Sequence, residues 1–232
     1  MKRALASVGV FLLLSVAAVF PQTGQDSQQS PARPDALRSY RIGRDLEARD
    51  RAEEANQYYN EAVRICLDEI NLNVTNMDSY TVLTWTLQRQ RKYAEVISWG
   101  ERGLRINGND YRIIETMGEA YFYLNRFDDS LRSMQRYVNS VPQGERTSVA
   151  YFFIGEIFRL QRKFFKADIA YTTACRLDPG SALWWYRLGS VRESAGDLSP
   201  AVEAYQRALR LNPNYREARE GLERSSQGSA SA

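Results

Sequence analysis

LWWYRLGSVRESAGDLSPAVEAYQRALRLNPN, residues 183–214, holds two apolar runs separated by a polar turn. Trp185, Leu188 and Gly189 stand at i, i+3 and i+4 in the first run. Ala201, Tyr205 and Ala208 stand at i, i+4 and i+7 in the second. Both spacings put the residues on one face of an α-helix. Gly189 and Ala208 carry no bulk, so two helix backbones can approach closely while Tyr205 and Trp185 fill the gaps beside them. Pro200 falls in the first turn of the second helix, where its missing N–H costs nothing. Asp197 or Ser199 can cap that turn. Asn212-Pro213 stops the helix. The stretch predicts two antiparallel helices.

The pattern recurs. Stepping back 34 residues, Gly189 lands on Gly155, Trp185 on Tyr151, Leu188 on Ile154, Ala201 on Ala167, Tyr205 on Tyr171, Ala208 on Ala174 and Pro213 on Pro179. A copy 37 residues earlier carries Met117, Gly118, Tyr121, Ser130, Met134 and Pro142, and its three extra residues fall around Gly144–Thr147. A further 34 back come Tyr80, Leu83, Thr84, Leu87, Val96, Gly100 and Gly103. The first unit holds Ile42, Gly43, Leu46, Ala55, Tyr59 and Ala62. A fixed period of this length predicts a stacked helical array. One helix pair cannot cover its own apolar face, so neighbours must share a seam. The expected units are 36–76, 77–110, 111–147, 148–181 and 182–215. A polar capping helix, 216–224, and a disordered tail, 225–232, follow.

These residues resemble the tetratricopeptide repeat family, whose pattern runs aromatic, Leu-Gly, aromatic, small, aromatic, Ala and Pro. The resemblance covers about 36–215. It implies an all-α solenoid, an α-α superhelix of about five helix pairs plus the capping helix. It also implies a concave groove lined by the first helix of each pair. Carried over in this register, the family's groove positions fall on Tyr40, Arg44, Trp85, Gln88, Arg89, Arg112, Glu115, Glu119, Phe122, Tyr123, Phe152, Glu156, Arg159, Tyr186, Ser190 and Glu193. Aromatics and arginine are common anchors of protein recognition. The family's groove for acidic C-terminal peptides uses a Lys/Asn/Lys/Arg set. Tyr40 and Thr81 stand where a basic residue would be wanted, which argues against a chaperone-tail binder.

MKRALASVGVFLLLSVAAVF opens the chain with Lys2 and Arg3, and the next seventeen residues carry no charge. A basic start, an apolar stretch and small residues near its end predict a secretory signal, with cleavage after Ala18. Seventeen uncharged residues are short for a membrane span, so no stable span is expected after cleavage. Residues 19–35, with three of the seven prolines, read as a disordered linker.

The composition is that of a folded protein: 44% hydrophobic and 12% aromatic over 232 residues. Net charge is +3, and loss of Lys2 and Arg3 would lower it by two. A near-neutral chain gives little support for nucleic-acid binding. There is no histidine, which removes His-based acid–base chemistry, His-activated nucleophiles and His-bearing zinc sites. No cofactor is expected. Asp128 and Asp129 suit a helix N-terminus. Glu115 and Glu119 share a helix face and read as solvated groove charges. Asn73-Val74-Thr75 is a glycosylation sequon. Cys66 and Cys175 lie about three units apart, beyond disulfide reach, so two buried free thiols are expected.

The sequence predicts an exported, non-enzymatic scaffold of the periplasm or cell envelope that docks a partner protein or peptide in its groove. Two alternatives stand beside it. One is a surface-exposed adhesin. The other is an enzyme acting on cell-wall glycan through carboxylates such as Glu115, Glu119 and Glu156.

Overall fold

A computed structural model describes residues 35–230. The expected signal, 1–18, and all of the linker except Asp35 lie outside the described residues. Eleven α-helices follow one another among the described residues: α1 Ala36–Glu47, α2 Ala52–Leu72, α3 Met77–Arg89, α4 Tyr93–Ile106, α5 Tyr111–Tyr123, α6 Phe127–Ser140, α7 Thr147–Leu160, α8 Phe164–Leu177, α9 Ala182–Ala195, α10 Leu198–Leu211 and α11 Arg216–Ala230. They form the five predicted antiparallel pairs and a final helix. Each helix packs on the next, and α1 also meets α3, α3 meets α5, α5 meets α7, and α9 meets α11. The odd-numbered helices α1, α3, α5 and α7 therefore meet along one inner layer, as a stack of hairpins requires. No described helix is long and apolar enough to cross a membrane.

Close packing inside a pair comes from a glycine on the first helix facing a large side chain sixteen residues on. A Cβ at Gly155 would lie 2.7 Å from the Tyr171 ring, and one at Gly189 would lie 2.7 Å from Tyr205. Gly43 faces Tyr59 and Gly118 faces Met134 in the same way. The second unit exchanges the two sizes: Thr84 stands on the first helix and Gly100 on the second, and Met117 of the next unit fills the space over Gly100. The expected pairing of Gly189 with Tyr205 is thus a direct contact. Trp184, rather than Trp185, is the buried tryptophan of that helix. Gly155→Leu should overpack the seam and cost roughly 1–3 kcal/mol. An unchanged melting temperature would contradict the contact.

The turns inside the pairs are alike although their residues are not. Asp50, Arg91, Asn125, Arg162 and Gly196 each take a positive φ between the two helices of a pair. The following N–H reaches back to the carbonyl five residues earlier, as in Arg51 to Leu46, Lys92 to Leu87 and Asp197 to Arg192. This is a Schellman-type stop, satisfying carbonyls the helix end leaves open. Asp197 occupies the N-cap of α10, but its side chain makes no capping hydrogen bond. This backbone turn supplies the order that a side-chain cap was expected to supply.

The connections between units use another device. Asn73, Asn107, Asp178 and Asn212 each accept a hydrogen bond from the N–H two residues on, at 3.1–3.2 Å. These Asx turns close four of the boundaries. The remaining boundary has Val141 at the corresponding position, which cannot make one. The chain there runs through residues 141–146 before α7 begins at Thr147, whose hydroxyl donates to the Val141 carbonyl at 2.8 Å. The inserted residues fill this irregular loop.

The C-terminal reading needs correction. α11 continues to Ala230, six residues past the expected end at 224, so most of the stretch read as disordered tail is helical. Ser225 is fully buried and a Cβ at Gly228 would meet Leu198. The small residues that suggested disorder let the helix lie close against α10.

The two cysteines are free and buried, one on α2 and one on α8. Burial pushes both thiols up to about 12. Neither should react with a thiol reagent in the native protein, and both should react in denaturant. A native mass showing an intramolecular bridge would refute the stacking order.

Candidate functional site

A cleft of about 630 Å³ opens on the inner layer between α1, α3, α5 and the 141–146 loop. Tyr40 and Arg44 come from α1, Trp85, Gln88 and Arg89 from α3, and Arg112, Glu115 and Glu119 from α5. These eight residues were all expected in the groove, and one cleft gathers them. Helical spacing explains it: Tyr40 and Arg44, Trp85 and Arg89, and Glu115 and Glu119 are each i and i+4, one face per helix.

Tyr40 and Trp85 pack with ring centroids 5.8 Å apart, and the Arg44 guanidinium lies 5.9 Å from the Tyr40 ring. Burial raises the Tyr40 phenol, while Arg44, Arg89 and Arg146 pull it back. Arg89 pairs with Glu47 at 2.8 Å. Arg112 is gripped by Asp110 at 2.8 Å and reaches Asp78 at 3.0 Å, tying α3 to α5.

The acidic pair differs from expectation. Glu115 and Glu119 are only 4% and 9% exposed, not solvated. Arg146, from the inserted loop, donates from Nε to Glu115 at 3.0 Å and from Nη2 to Glu119. Gln88 Nε2 donates to the other Glu119 oxygen at 2.9 Å. Burial, then the neighbouring Glu119 charge, holds the Glu115 carboxyl well above its ordinary range, and Arg146 offsets part of that rise. Periodicity placed both glutamates on the inner face but says nothing of what covers them.

The inserted loop is what residue-by-residue reading missed. Gln143, Gly144, Glu145 and Arg146 all line the cleft, with Tyr111 and Tyr137 beside them. The Tyr137 hydroxyl accepts from the Arg146 N–H at 3.3 Å, which anchors the loop. The signal was present in the sequence as three extra residues breaking the period.

Eight expected groove residues lie outside this cleft, among them Ser190 and Glu193, which accepts from the Tyr205 hydroxyl at 2.6 Å. Phe152 stacks on Trp184 at 5.3 Å and packs in the core between units. Phe122 packs edge-on against Phe153 at 5.1 Å. Tyr123 is half exposed and stacks on Tyr93 at 4.8 Å. Glu156 is buried, accepts from the Tyr171 hydroxyl at 2.5 Å and pairs with Arg159 at 2.8 Å. Tyr186 packs between Tyr205 and Tyr215. In these later units the first-helix aromatics pack on rings of their own or neighbouring units.

Elsewhere the structure offers little chemistry. Asp129 pairs with Arg126 at 2.8 Å, and no group of three or more acids or cysteines among the described residues is placed to hold a metal. The sequon at Asn73 is exposed.

The tetratricopeptide repeat model matches residues 182–215. Among curated proteins, the chain is 29% identical over 102 residues to the peroxisomal targeting signal receptor of Kluyveromyces lactis, a match covering 43% of this chain and 18% of that protein. It is 25% identical over 173 residues to human protein O-mannosyl-transferase TMTC1, covering 74% of this chain and 19% of that one. The chain spans less than a fifth of the length of these relatives. Among solved structures, YrrB, a tetratricopeptide repeat protein with an unusual peptide-binding site, superposes with a TM-score of 0.56 at 19% identity. That match covers 83% of this chain and 94% of YrrB. The likeness is one of fold.

Proposed function

We propose that this chain, which belongs to the tetratricopeptide repeat family, is a non-enzymatic scaffold holding a segment of a partner protein. The segment docks in the cleft between α1, α3, α5 and the 141–146 loop. The observation that carries this reading is the gathering of Tyr40, Trp85 and four arginines on one preformed inner surface. Rigid aromatics and planar guanidinium groups bind an extended chain with little ordering cost to the scaffold. YrrB shows that a chain of this fold can carry a peptide-binding site. The proposed setting is outside the cytoplasm, in the periplasm or cell envelope, on the strength of the basic and apolar opening of the sequence.

The glycan-enzyme reading draws on one observation, the raised proton affinity of Glu115, which a general acid needs. Against it, Glu115 is buried and its outer oxygen is taken by Arg146. A substrate oxygen would have to displace that arginine. Assays on wall fragments should show no turnover.

A photo-crosslinking residue at Trp85 should capture the partner in cells. Tyr40→Ala with Trp85→Ala should reduce capture about tenfold or more, while Tyr186→Ala should leave it intact. Undiminished capture in the double variant would move the binding surface to the outer helices. Cell fractionation with N-terminal sequencing tests the export, with loss of residues 1–18 as the expected result.

A further inference from the structure

A second pocket of about 480 Å³ adjoins the cleft and shares Trp85 and Arg112 with it. Leu37 of α1 and Val82 and Trp85 of α3 give it apolar lining, with buried Ser79 and Thr81 beside them. Carboxylates from three elements stand at its rim. Asp35 caps α1, accepting from the Arg38 N–H at 3.1 Å. Glu69, near the end of α2, accepts from the Ser79 hydroxyl at 2.5 Å. Asp78 opens α3 with its side chain 83% exposed.

Among the described residues the only cation lining this pocket is Arg112, and Asp110 holds it as well as Asp78. Of the three lining carboxylates only Asp78 pairs with that guanidinium. Apolar side chains beside an excess of negative charge match a side chain with an aliphatic stem and a cationic head. The Trp85 indole adds an aromatic face to such a head. The neighbouring cleft carries four arginines beside Glu115, Glu119 and Glu145, and Glu47 pairs with its Arg89, so it mixes both signs and favours a cation less than this pocket does. The two ends of the groove thus differ in charge balance, which favours one direction of a bound segment.

We infer that this pocket receives a lysine or arginine side chain of the partner segment, its stem on Leu37, Val82 and Trp85 and its charge among Asp35, Glu69 and Asp78. The inference rests on the groove reading above and names the chemistry of the residue that reading leaves open.

The test uses the full chain and acetylated, amidated peptides Gly-Ser-Xaa-Ser-Gly, with Xaa arginine, lysine, norleucine or glutamate. Binding is read from the assigned Trp85 indole N–H by NMR. Arginine and lysine peptides should bind about tenfold more tightly than norleucine, and glutamate most weakly. Glu69→Gln, which keeps an acceptor for Ser79, and Asp78→Asn should each weaken the arginine peptide about threefold. Neither should affect the norleucine peptide. Glutamate or norleucine binding as tightly as arginine would overturn the assignment, and partner capture through Trp85 would still uphold the groove. Failure of both experiments would remove both readings. Arginine-peptide binding that appears only in Arg33→Gln would give the pocket to the chain's own Arg33 and overturn the partner assignment.

Discussion

Tyr205→Ala should cost about 3–5 kcal/mol, the largest loss expected from any single side chain here. Tyr205 is fully buried. Its ring is held on both sides by glycines, Gly189 of α9 and Gly221 of α11, either of which would clash with it if given a Cβ. Its hydroxyl donates to Glu193 at 2.6 Å, and Glu193 pairs with Arg224 of α11 at 2.8 Å. One side chain on α10 therefore joins the last hairpin to the final helix. Removing the ring opens a cavity between backbones that cannot close, because the glycines have nothing to offer across it. Tyr205→Phe keeps the ring and loses the hydrogen bond, so it should cost about 1 kcal/mol. Urea melts of both variants separate the two effects. Equal losses in the two would mean that the hydroxyl, not the packing, holds the last unit.

The packing that Tyr205 exemplifies was readable in the residues. A glycine that recurs sixteen positions before a large side chain is a statement about two helices touching. The exchange of sizes at Thr84 and Gly100 is the same statement reversed. The Asx turns were readable too, since Asn73, Asn107, Asp178 and Asn212 fall in step. The positive-φ turns were hidden, because aspartate, arginine and asparagine occupy four of the five positions and the hydrogen-bonded geometry overrides residue preference.

The groove was legible by helix and face, and only in part by residue. Repeat position says that a side chain points inward. It does not say whether the next unit leaves that side chain open or packs on it. Phe152 meets Trp184, and Glu156 meets Tyr171 and Arg159, so those positions became core. Tyr40 and Trp85 pack on each other and Arg89 pairs with Glu47, yet all three still line the open cleft. Arg146 lies 27 and 31 residues from its partners, a distance no local pattern spans.

Arg146→Ala should destabilise the fold by about 3 kcal/mol, the low end for breaking a buried ion pair. Arg146 itself is half exposed, its side chain at 51%. The loss falls on Glu115 and Glu119, left buried together without their shared cation. Stability should also depend on pH in a direction fixed by Glu115. Its folded carboxyl holds a proton more tightly than the unfolded one, because burial and Glu119 disfavour its charge. The folded state then binds more protons, so this contribution is complete below the ordinary carboxylate value of about 4.5 and is lost as pH rises through the folded value. The melting temperature should decline over that rise. Glu115→Gln, which keeps the shape and cannot ionise, should flatten the decline and raise stability at neutral pH. Arg146→Ala should steepen it, since the one group that favours the charged form is gone. Thermal melts across pH on the three proteins decide the matter: a wild-type curve that climbs with pH, or a Glu115→Gln curve that falls as steeply as wild type, would place the proton elsewhere and leave Arg146 as an ordinary surface pair worth under about 1 kcal/mol.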